Sequence, residues 1–371
     1  MINIGITGAN GFIGWHLSSK LKLRNDQFNV VDFDRNWFND SDKLNEFVKK
    51  CSIIVHLAGL NRHNEENIIL NTNIDLAKKL ISSFKNTAFK GQIIFSSSIQ
   101  EDKNNIFGNS KKSSRELFSK WAKNYDGKFN GLIIPNVFGA FCKPFYNSVI
   151  STFCHQLINN ESPKIHIDSK LNLIYIDDLI DLIIATFNGE SDYNQIINSN
   201  YEYRVTEILK ILVKFKTNYL KCGVIPQFEN DFELNLFNTF RSYIDHKIHF
   251  PVNYKNNIDN RGNFVEIIKL NSGGQISFST TKPNITRGNH FHTRKIERFS
   301  VIKGDALIQI RKIGTNKIIN FKISGKEPSF VDMPIWYTHN IKNIGSDELY
   351  TIFWINEFYN PNDTDTFQEL V

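Results

Sequence analysis

The stretch TGANGFIG, residues 7–14, decides the fold of the first part of this 371-residue chain. It places Gly8, Gly11 and Gly14 between the apolar run that begins the chain and a segment with helical spacing. Small residues at such a turn let the backbone approach a pyrophosphate, and the start of the following helix supplies N–H groups and positive potential. The stretch therefore predicts a first strand, a phosphate-binding turn and a first helix.

Outward from this stretch, short apolar runs alternate with helical patterns over about the first 190 residues. The predicted strands lie in MINIGITG, FNVVDFD, CSIIVHLAG, GQIIFSSS and FNGLIIPNVFG. Helices are predicted between them, in GWHLSSKLKL, NEENIILNTNIDLAKKLISSF and SKKSSRELFSKWAKNY. Such alternation predicts βαβ units and an α/β, Rossmann-like, doubly wound parallel sheet.

The end of the second predicted strand bears on the choice of cofactor. Asp32 lies 18 residues past Gly14, and Arg35 follows it closely. An acidic residue here favours NAD because it binds the ribose hydroxyls, whereas an arginine favours the extra phosphate of NADP. Since both residues are present, both cofactors stay open, and we expect NADP.

From about residue 253 the helical patterns stop and the sequence consists of β-rich runs. The runs GNFVEIIKL, GGQISFSTT, ERFSVIKGDALIQIRK, KIINFKISG and ELYTIFWINEF are rich in β-forming residues and are separated by Gly, Asn and Lys turns. They predict a small all-β barrel or sandwich. We place the domain boundary in RSYIDHKIHFPVN, which divides the chain into residues 1–245 and 246–371.

The second part contains a pattern typical of metal sites. In GNHFHTRKIERF, residues 288–299, His290 and His292 share one face of a strand, and Glu297 follows five residues later. His339 follows a Pro334 turn farther along the chain. Three imidazoles and one carboxylate suit a divalent transition metal, zinc first among them.

Composition narrows the possible partners. Hydrophobic residues make up 41% and charged residues 22%, as in a soluble folded protein. The net charge of +6 is spread without a dense basic block, so no nucleic acid or membrane partner is expected. A scattered positive excess also suits an anionic substrate such as a sugar nucleotide.

The expected compartment is the cytoplasm. None of the four cysteines stands in a CxxC pair, which indicates reduced thiols. The chain enters a strand at once, leaving no room for a signal peptide, and no apolar run approaches the roughly 20 residues that span a bilayer.

Several motifs of the first part, taken in order, resemble the extended short-chain dehydrogenase/reductase family. They are TGANGFIG, HLAGLNR, SSS, FGNSK, PNVFG and YIDDL, and the likeness covers about residues 1–240. The resemblance implies a nicotinamide cofactor and a sugar-nucleotide substrate. The expected cofactor site comprises Gly8, Gly11, Phe12, Ile13, Asp32, Arg35, Leu57, Ala58, Gly59 and Lys111. The expected substrate site comprises Asn136, Lys143 and Asn147.

The chemistry of that family uses a serine or threonine, a tyrosine and a lysine four residues after the tyrosine. By resemblance, Ser98 orients the carbonyl and Lys111 holds the ribose. The tyrosine position is Phe107, whose phenyl ring has no proton to give. A second departure precedes PNVFG, where family members often carry an arginine and this chain has Ile133 and Ile134.

The second part resembles the cupin family. Gly288, His290, His292, Glu297 and Gly304 match the first half of the cupin pattern, and Pro334, His339 and Asn343 match the second half. Trp336 stands where a glycine is usual, a departure that affects loop shape more than ligation.

The whole chain resembles the CapF-type bifunctional enzymes of capsule and O-antigen synthesis. Shared segments include FCKPFYNSVISTFC, KPNITRGNHFH and YTHNIKN. The resemblance implies that the cupin part inverts C3 of a UDP-linked 2-acetamido-2,6-dideoxy-4-hexulose. The reductase part then reduces the C4 ketone with NADPH, toward N-acetyl-L-fucosamine. It also implies a homodimer.

This order of steps is chemically required, because the C3 hydrogen is acidic only while the neighbouring C4 ketone exists. A general base must remove that proton and another group must return it on the opposite face. The sequence does not identify the pair, although Tyr337 is a candidate as a neighbour of His339.

Two other interpretations stay open. In the first, the cupin part epimerises and the first domain only binds nucleotide, because Phe107 has cost it the reductase step. In the second, the chain is a nucleotide sensor or scaffold with a structural metal. The glycine turn, Ser98 and Lys111 speak against the sensor or scaffold.

Overall fold

The computed structural model describes residues 1–260, 262–270 and 272–371, without the side chains of residues 259 and 262–264. The chain forms two compact units. The N-terminal unit comprises Met1–Thr152 and Ile165–Thr206, and the C-terminal unit comprises Phe153–Lys164 and Glu207–Val371.

Nine strands belong to the N-terminal unit. They are β1 (Ile2–Thr7), β2 (Phe28–Val31), β3 (Ile53–His56), β4 (Gln92–Ser98), β5 (Lys128–Ile134), β6 (Asn136–Phe138), β7 (Lys170–Tyr175), β8 (Asp192–Ile196) and β9 (Tyr201–Arg204). The main sheet has the order β2-β1-β3-β4-β5-β8, and all its pairs are parallel. This confirms the predicted Rossmann-like sheet. A smaller sheet has the order β6-β7-β9.

Helices connect these strands. They are α1 (Phe12–Lys22), α2 (Ser41–Lys50), α3 (Glu66–Asn86), α4 (Ile106–Tyr125), α5 (Val149–Ile158) and α6 (Ile176–Ala185), with 3₁₀ turns at Arg35–Asn39, Ile99–Asp102 and Thr186–Asn188. Asn105 caps α4 by accepting a hydrogen bond from the Gly108 N–H at 2.8 Å, and Asp126, directly after the helix, is in the left-handed conformation.

Aromatic rings fill the core between the main sheet, α3 and α4. Phe84, Phe95, Phe118 and Phe129 are all at most 2% exposed. Burying each such ring stabilises the fold by about 1.5–3 kcal/mol. This packing sets α4 firmly against the sheet, so that the residues near its start have defined positions.

The C-terminal unit contains twelve of the strands described. They are β10 (Val252–Asn253), β11 (Asn256–Asp259), β12 (Gly262–Val265), β13 (Gln275–Thr281), β14 (Thr286–Phe291), β15 (Glu297–Lys303), β16 (Asp305–Lys312), β17 (Ile318–Ser324), β18 (Ser329–Met333), β19 (Tyr337–Asn343), β20 (Leu349–Ile355) and β21 (Phe367–Gln368). Two antiparallel five-stranded sheets have the orders β10-β18-β15-β20-β13 and β17-β16-β19-β14-β21. The predicted all-β part is therefore present as these two sheets and a separate β11-β12 hairpin, with apolar side chains such as Val301, Ile308, Ile310 and Ile341 in the core.

Helical segments precede these strands: α7 (Val205–Phe215), a π-helical turn at Lys216–Lys221, α8 (Asp231–Arg241) and α9 (His246–His249). Within the C-terminal unit, Tyr219 donates to buried Asp332 at 2.6 Å and Arg241 donates to the Met333 carbonyl at 2.8 Å. These contacts group residues 207–245 with the β-sheets. The compact units therefore divide at residues 206/207, earlier in the chain than the predicted domain boundary at 245/246. The boundary at 245/246 stays a prediction.

None of the described helices combines the length and the apolar character that crossing a membrane requires. The four cysteines all lie within the described residues, and no disulfide joins any of them.

Candidate functional site

The glycine turn after β1 has the geometry of a phosphate cradle. Gly8 has a φ of +81°, and a Cβ there would lie 2.7 Å from the Ala58 backbone nitrogen. A Cβ on Gly14 would lie 2.2 Å from the Gly8 carbonyl oxygen, so close packing requires glycine at both positions. Gly11 is exposed and immediately precedes α1. The N–H groups at the start of α1, from Phe12 and Ile13, can thus reach a pyrophosphate.

The loop after β3 forms the other side of this cradle. β1 and β3 are parallel neighbours, with Thr7 paired to His56, so the glycine turn and Leu57–Gly59 emerge at the same edge of the sheet. The chain reverses its direction across the sheet between these two strands, which is where α/β folds bind nucleotides.

Asn73 on α3 holds that loop, a role that no sequence pattern predicted. Its side-chain oxygen accepts from the Leu60 N–H at 2.7 Å, and its amide donates to the Leu60 carbonyl at 3.0 Å and to the Ser110 hydroxyl at 2.9 Å. Asn73 is only 4% exposed. An asparagine inside a helical pattern reads as a surface residue unless the partner loop is known.

Asp32 and Arg35 both follow β2 and are exposed. Neither side chain takes part in a hydrogen bond or ion pair with the described residues. Asp34 between them is used locally, because it accepts from the Asn36 N–H at 2.8 Å. The two residues that the sequence analysis weighed against each other are therefore both available to an adenosine ribose.

Ser98 and Lys111 come from neighbouring elements. Ser98 ends β4, and its hydroxyl accepts from the Gln100 N–H at 3.2 Å, leaving its own proton free for another acceptor. A Cβ on Gly108 would lie 1.9 Å from the Gln100 carbonyl oxygen. Glycine at position 108 thus lets the start of α4, with Phe107, pack directly on the turn after Ser98.

Lys111 points into this region with its amine buried. The Nζ atom lies 4.8 Å from the centroid of the Phe95 ring and 6.0 Å from that of Phe107. It would lie 3.8 Å from a Cβ built on Gly59, in the cofactor loop. Burial lowers the pKa of Lys111 to about 8, against the opposing attraction of Glu101. The lysine is thus poised to titrate near neutral pH.

Replacing Lys111 by methionine is expected to stabilise the cofactor-free protein. A buried ammonium whose pKa falls from 10.5 to about 8 destabilises the fold below pH 8. At 1.36 kcal/mol per pKa unit, we expect the free energy of unfolding to rise by about 2–3 kcal/mol at pH 7. The gain should shrink as the pH rises from 8 toward 10.5, because the wild-type lysine then loses its proton in the folded state. Urea titrations at pH 7 and pH 10 measure both values.

The matched control is Lys112→Met, the same change at an exposed neighbour. It should alter stability little at either pH. A gain for Lys111→Met that does not change with pH would mean that packing, and not the buried charge, is responsible.

A cavity of about 210 Å³ lies beside the expected substrate residues. Its lining includes Asn136 and Asn147, together with Val137, Ser148, Val149, Ile150, Leu171 and Leu173. Lys143 is not in this lining; its Nζ lies 5.5 Å from the centroid of the Tyr146 ring. The structure therefore brings two of the three expected substrate residues together.

Arg62 joins this cavity to the cofactor loop. Its Nε donates to the Asn147 side chain at 3.0 Å, and the Asn61 N–H donates to the Tyr146 hydroxyl at 3.4 Å. Arg62 is the last residue of the HLAGLNR motif, and the sequence alone predicted no role for it. This position makes the Arg62 guanidinium a cation available to a substrate phosphate. Because Arg62 and Asn147 are 85 residues apart, no local sequence pattern indicates that they meet.

In the C-terminal unit, the four predicted metal ligands come together from both sheets. β14 carries His290 and leads directly into His292, β19 carries His339, and Glu297 begins β15 of the other sheet. The register of β14 against β19 shifts between Gly288 and His290, which leaves Asn289 unpaired. This bulge sets His290 directly opposite His339, as bulges beside binding sites often do.

The ligand atoms of the four residues all lie within 4.8 Å of one another. Glu297 Oε2 is 3.1 Å from Nε2 of His292 and 3.1 Å from Nε2 of His339. These three buried atoms make no hydrogen bond of acceptable geometry with the described residues. Buried polar atoms are normally satisfied, so their convergence fits a divalent cation.

The protonation states also suit a cation. Burial lowers the pKa of His290 to about 4, and repulsion from His339 and His292 adds to the effect. Burial would raise the pKa of the Glu297 carboxyl, yet the close His292 and His339 rings hold it well below its usual range. At neutral pH the cluster thus offers an anionic carboxylate and a neutral His290, the forms that bind metal.

Tyr337 lies two residues before His339 on β19 and therefore faces the same side of the sheet. Burial raises its pKa to about 12, with Asp245 adding to the effect, so the phenol keeps its proton at neutral pH. Its ring meets that of buried His246 edge-on, with centroids 5.2 Å apart. The structure thus keeps Tyr337 as a candidate proton donor.

Trp336 has a left-handed backbone, a conformation that favours glycine. Its φ is +62°, its N–H donates to the His292 carbonyl at 2.7 Å, and its ring stacks on Phe291. A left-handed tryptophan costs about 1–2 kcal/mol, which burial of its large ring offsets.

Comparison with known proteins extends over the whole chain. Residues 4–198 match the model of the NAD dependent epimerase/dehydratase family, and residues 257–367 match that of the polysaccharide biosynthesis C-terminal domain. The UDP-2-acetamido-2,6-beta-L-arabino-hexul-4-ose reductase of Pseudomonas aeruginosa is 30% identical over 365 residues, which cover 98% of this chain and 97% of the relative.

Solved structures agree. The capsular polysaccharide assembling protein CapF from Staphylococcus aureus is 34% identical, with 100% of each chain covered and a TM-score of 0.64. A UDP-glucuronic acid 4-epimerase from Bacillus cereus, in complex with UDP-glucuronic acid and NAD, is 19% identical. It covers 58% of this chain and 83% of its own, with a TM-score of 0.52, a likeness of fold alone.

Proposed function

The chain belongs to the NAD dependent epimerase/dehydratase family and to the CapF family of capsular polysaccharide assembling proteins, and from that premise we propose a two-step reaction. It inverts C3 of a UDP-linked 2-acetamido-2,6-dideoxy-4-hexulose and then reduces the C4 ketone. That it is an NAD(P)-dependent sugar-nucleotide enzyme follows from the family and from the reductase that is its relative. The proposal concerns the two steps, their substrate and their sites.

The observation that carries the first step is the convergence of unsatisfied Nε2 and Oε2 atoms at His292, Glu297 and His339. We assign these residues, with His290, as ligands of a zinc or similar divalent ion. When bound, such an ion supplies Lewis acidity toward the C4 carbonyl and so makes the C3 hydrogen more acidic. The two faces of C3 need different groups, and protonated Tyr337 suits the return of the proton on one face.

The second step uses the N-terminal unit. A nicotinamide cofactor would place its pyrophosphate on the glycine turn and its ribose near Lys111. When bound, the cofactor would supply a hydride to C4, and a group of the protein must then give a proton to the C4 oxygen. Ser98 is available as a hydrogen-bond donor, because its hydroxyl only accepts from Gln100. We propose NADP as the cofactor, since exposed Arg35 can pair with the extra phosphate, while exposed Asp32 leaves NAD possible.

Phe107 favours a second candidate function. A phenyl ring cannot donate the proton that the C4 oxygen requires, and the second candidate is therefore an epimerase whose first unit only binds nucleotide. We hold the two-step function as the better supported, because Ser98 and buried Lys111 both retain groups that carry protons.

Asn136, Asn147 and Arg62 are proposed to bind the sugar nucleotide, with Lys143 assigned to the diphosphate by family resemblance. We further propose a cytoplasmic homodimer that acts in capsule or O-antigen synthesis. The cytoplasm supplies reduced nicotinamide cofactor, and the absence of disulfides among the four cysteines, all within the described residues, agrees with a reducing compartment.

One experiment separates the candidates. The purified protein is incubated with the 4-keto sugar nucleotide in D₂O, with NADPH or NADH or neither, and deuterium at C3 and cofactor oxidation are followed together. The two-step enzyme should incorporate deuterium without cofactor and oxidise NADPH faster than NADH. Deuterium uptake with no oxidation of either cofactor would establish the epimerase-only function. Neither signal would contradict both proposals, and NMR of the product identifies the sugar.

A further inference from the structure

We propose that Asp365 is a positioning residue for the metal site, holding His292 in the tautomer and orientation that ligation needs. This inference rests on the proposed metal function of the C-terminal unit. Asp365 lies in the tail formed by residues 356–371, far along the chain from the HxH pair, and no motif in the sequence pointed to it.

The backbone of Asp365 contacts the ring of His292. Nδ1 of His292 lies 2.5 Å from the backbone carbonyl oxygen of Asp365. A carbonyl oxygen can only accept, so Nδ1 must carry the proton. The lone pair of the neutral ring then resides on Nε2, the atom that faces Glu297 Oε2 at 3.1 Å. This bond therefore selects the tautomer that can bind a cation, the usual task of a partner behind a metal-binding histidine.

Hydrogen bonds to the side chain of Asp365 hold its backbone carbonyl in place. The Asp365 carboxylate accepts four hydrogen bonds from the turn after His292: from the Thr293 N–H at 3.0 Å, the Thr293 hydroxyl at 2.6 Å, and the N–H groups of Arg294 and Lys295 at 3.0 Å each. Asp365 is only 5% exposed. One residue thus fixes both the turn that follows the ligand and the ring of the ligand itself.

The backbone of Asp365 is in an uncommon conformation, with a φ of +40°. Non-glycine residues adopt such angles when their surroundings determine them, and they do so most often beside functional sites. Here the four hydrogen bonds to the carboxylate determine the angle. Removing the carboxylate should allow residue 365 to relax and its carbonyl to leave the His292 ring.

Strand β21, which follows Asp365, also supports the metal cluster. β21 pairs with β14, with Gln368 opposite His290 and Phe367 opposite Phe291. The Glu369 N–H donates to the Asn289 carbonyl at 2.9 Å, in the bulge that aims His290. The tail therefore supports both histidines of the HxH pair, and Asp365 is the point where it touches a ligand side chain.

The test compares three single variants: Asp365→Ala, Asp365→Asn and, as the matched control, Asp363→Ala. Asp363 lies in the same tail and pairs with Arg294 at 2.9 Å, but it is exposed and does not contact the ring of His292. Zinc affinity is measured by competition with a chromophoric chelator. The visible spectrum of the cobalt-loaded proteins reports coordination geometry, and thermal unfolding of the metal-free proteins reports stability.

We expect Asp365→Ala to weaken zinc binding about 10- to 100-fold and to change the cobalt spectrum. Asp365→Asn should lose less affinity, because its amide oxygen still accepts from Thr293 while its NH₂ group cannot accept from Arg294 and Lys295. Asp363→Ala should bind zinc as the wild type does. Should the alanine variant not fold, the asparagine variant decides alone, by a measurable loss of affinity or by none.

The possible failures are distinguishable. A wild-type protein that binds no metal would overturn the proposed metal function and this inference with it. A wild type that binds zinc, beside Asp365 variants that bind it equally well, would overturn the inference alone. Equal losses in Asp363→Ala would attribute the effect to tail charge, and a loss of thermal stability with unchanged affinity would make Asp365 a structural residue only.

Discussion

Replacing His339 by alanine is expected to abolish deuterium exchange at C3. His339 is fully buried, its ring lies opposite His290, and its Nε2 is 3.1 Å from Glu297 Oε2. Without it the cluster loses one ligand, and the buried carboxylate loses a partner. Removing electrostatic stabilisation of a developing negative charge typically slows a reaction by about 10²–10³-fold, and loss of the metal should add to this. Exchange is measured by NMR, and bound metal by elemental analysis.

The wild type should hold one divalent ion per chain, and chelation should reproduce the loss of exchange, with recovery when zinc is returned. His249→Ala is the control, because this histidine belongs to the same unit but not to the metal cluster. NADPH binding should be unchanged in both variants, since the residues proposed to bind the cofactor all lie in the N-terminal unit. A wild type that exchanges C3 equally fast after chelation would show that the cluster is not catalytic.

Replacing Phe107 by tyrosine is expected to accelerate C4 reduction at least about tenfold. A positioned general acid contributes about 10²–10⁴-fold to the rate, and this chain has a phenyl ring where its family has a phenol. Phe107 lies one helical turn before Lys111, with 6.0 Å between the ring centroid and Nζ. A new hydroxyl would thus lie near a buried lysine able to lower its pKa. Single-turnover NADPH oxidation at saturating keto sugar measures the effect.

Exchange at C3 and NADPH affinity should not change in Phe107→Tyr, since neither depends on the phenol. Phe107→Leu is the matched control for altered packing and should not accelerate reduction. If the wild type already reduces fast and tyrosine does not improve it, another residue donates the proton. Tyr146 can then be tested as Tyr146→Phe, although its hydroxyl lies near the Asn61 N–H at 3.4 Å and nothing places it at the C4 oxygen.

Much of the architecture was predictable because its signals are local. Alternating apolar runs and helical patterns predicted the parallel sheet, and the glycines at positions 8 and 14 occupy places where a Cβ would collide with backbone. The spacing of His290, His292, Glu297 and His339 predicted a cluster that the structure brings within 4.8 Å. Whether it binds zinc, and whether Ser98 and Lys111 act as assigned, stay predictions for the experiments above.

Local sequence patterns were enough to predict the two fold classes, the phosphate turn and the identity of the candidate ligands, because each depends on short-range periodicity or on residue types at fixed spacing. Tertiary structure alone decided that Asn73 holds the cofactor loop, that Arg62 reaches Asn147, and that the Asp365 carbonyl meets the ring of His292, 73 residues away in sequence. Such contacts join segments whose separation leaves no local pattern. These contacts form only when strand pairing and packing bring together backbone segments that are distant in sequence. No sequence motif therefore predicts them.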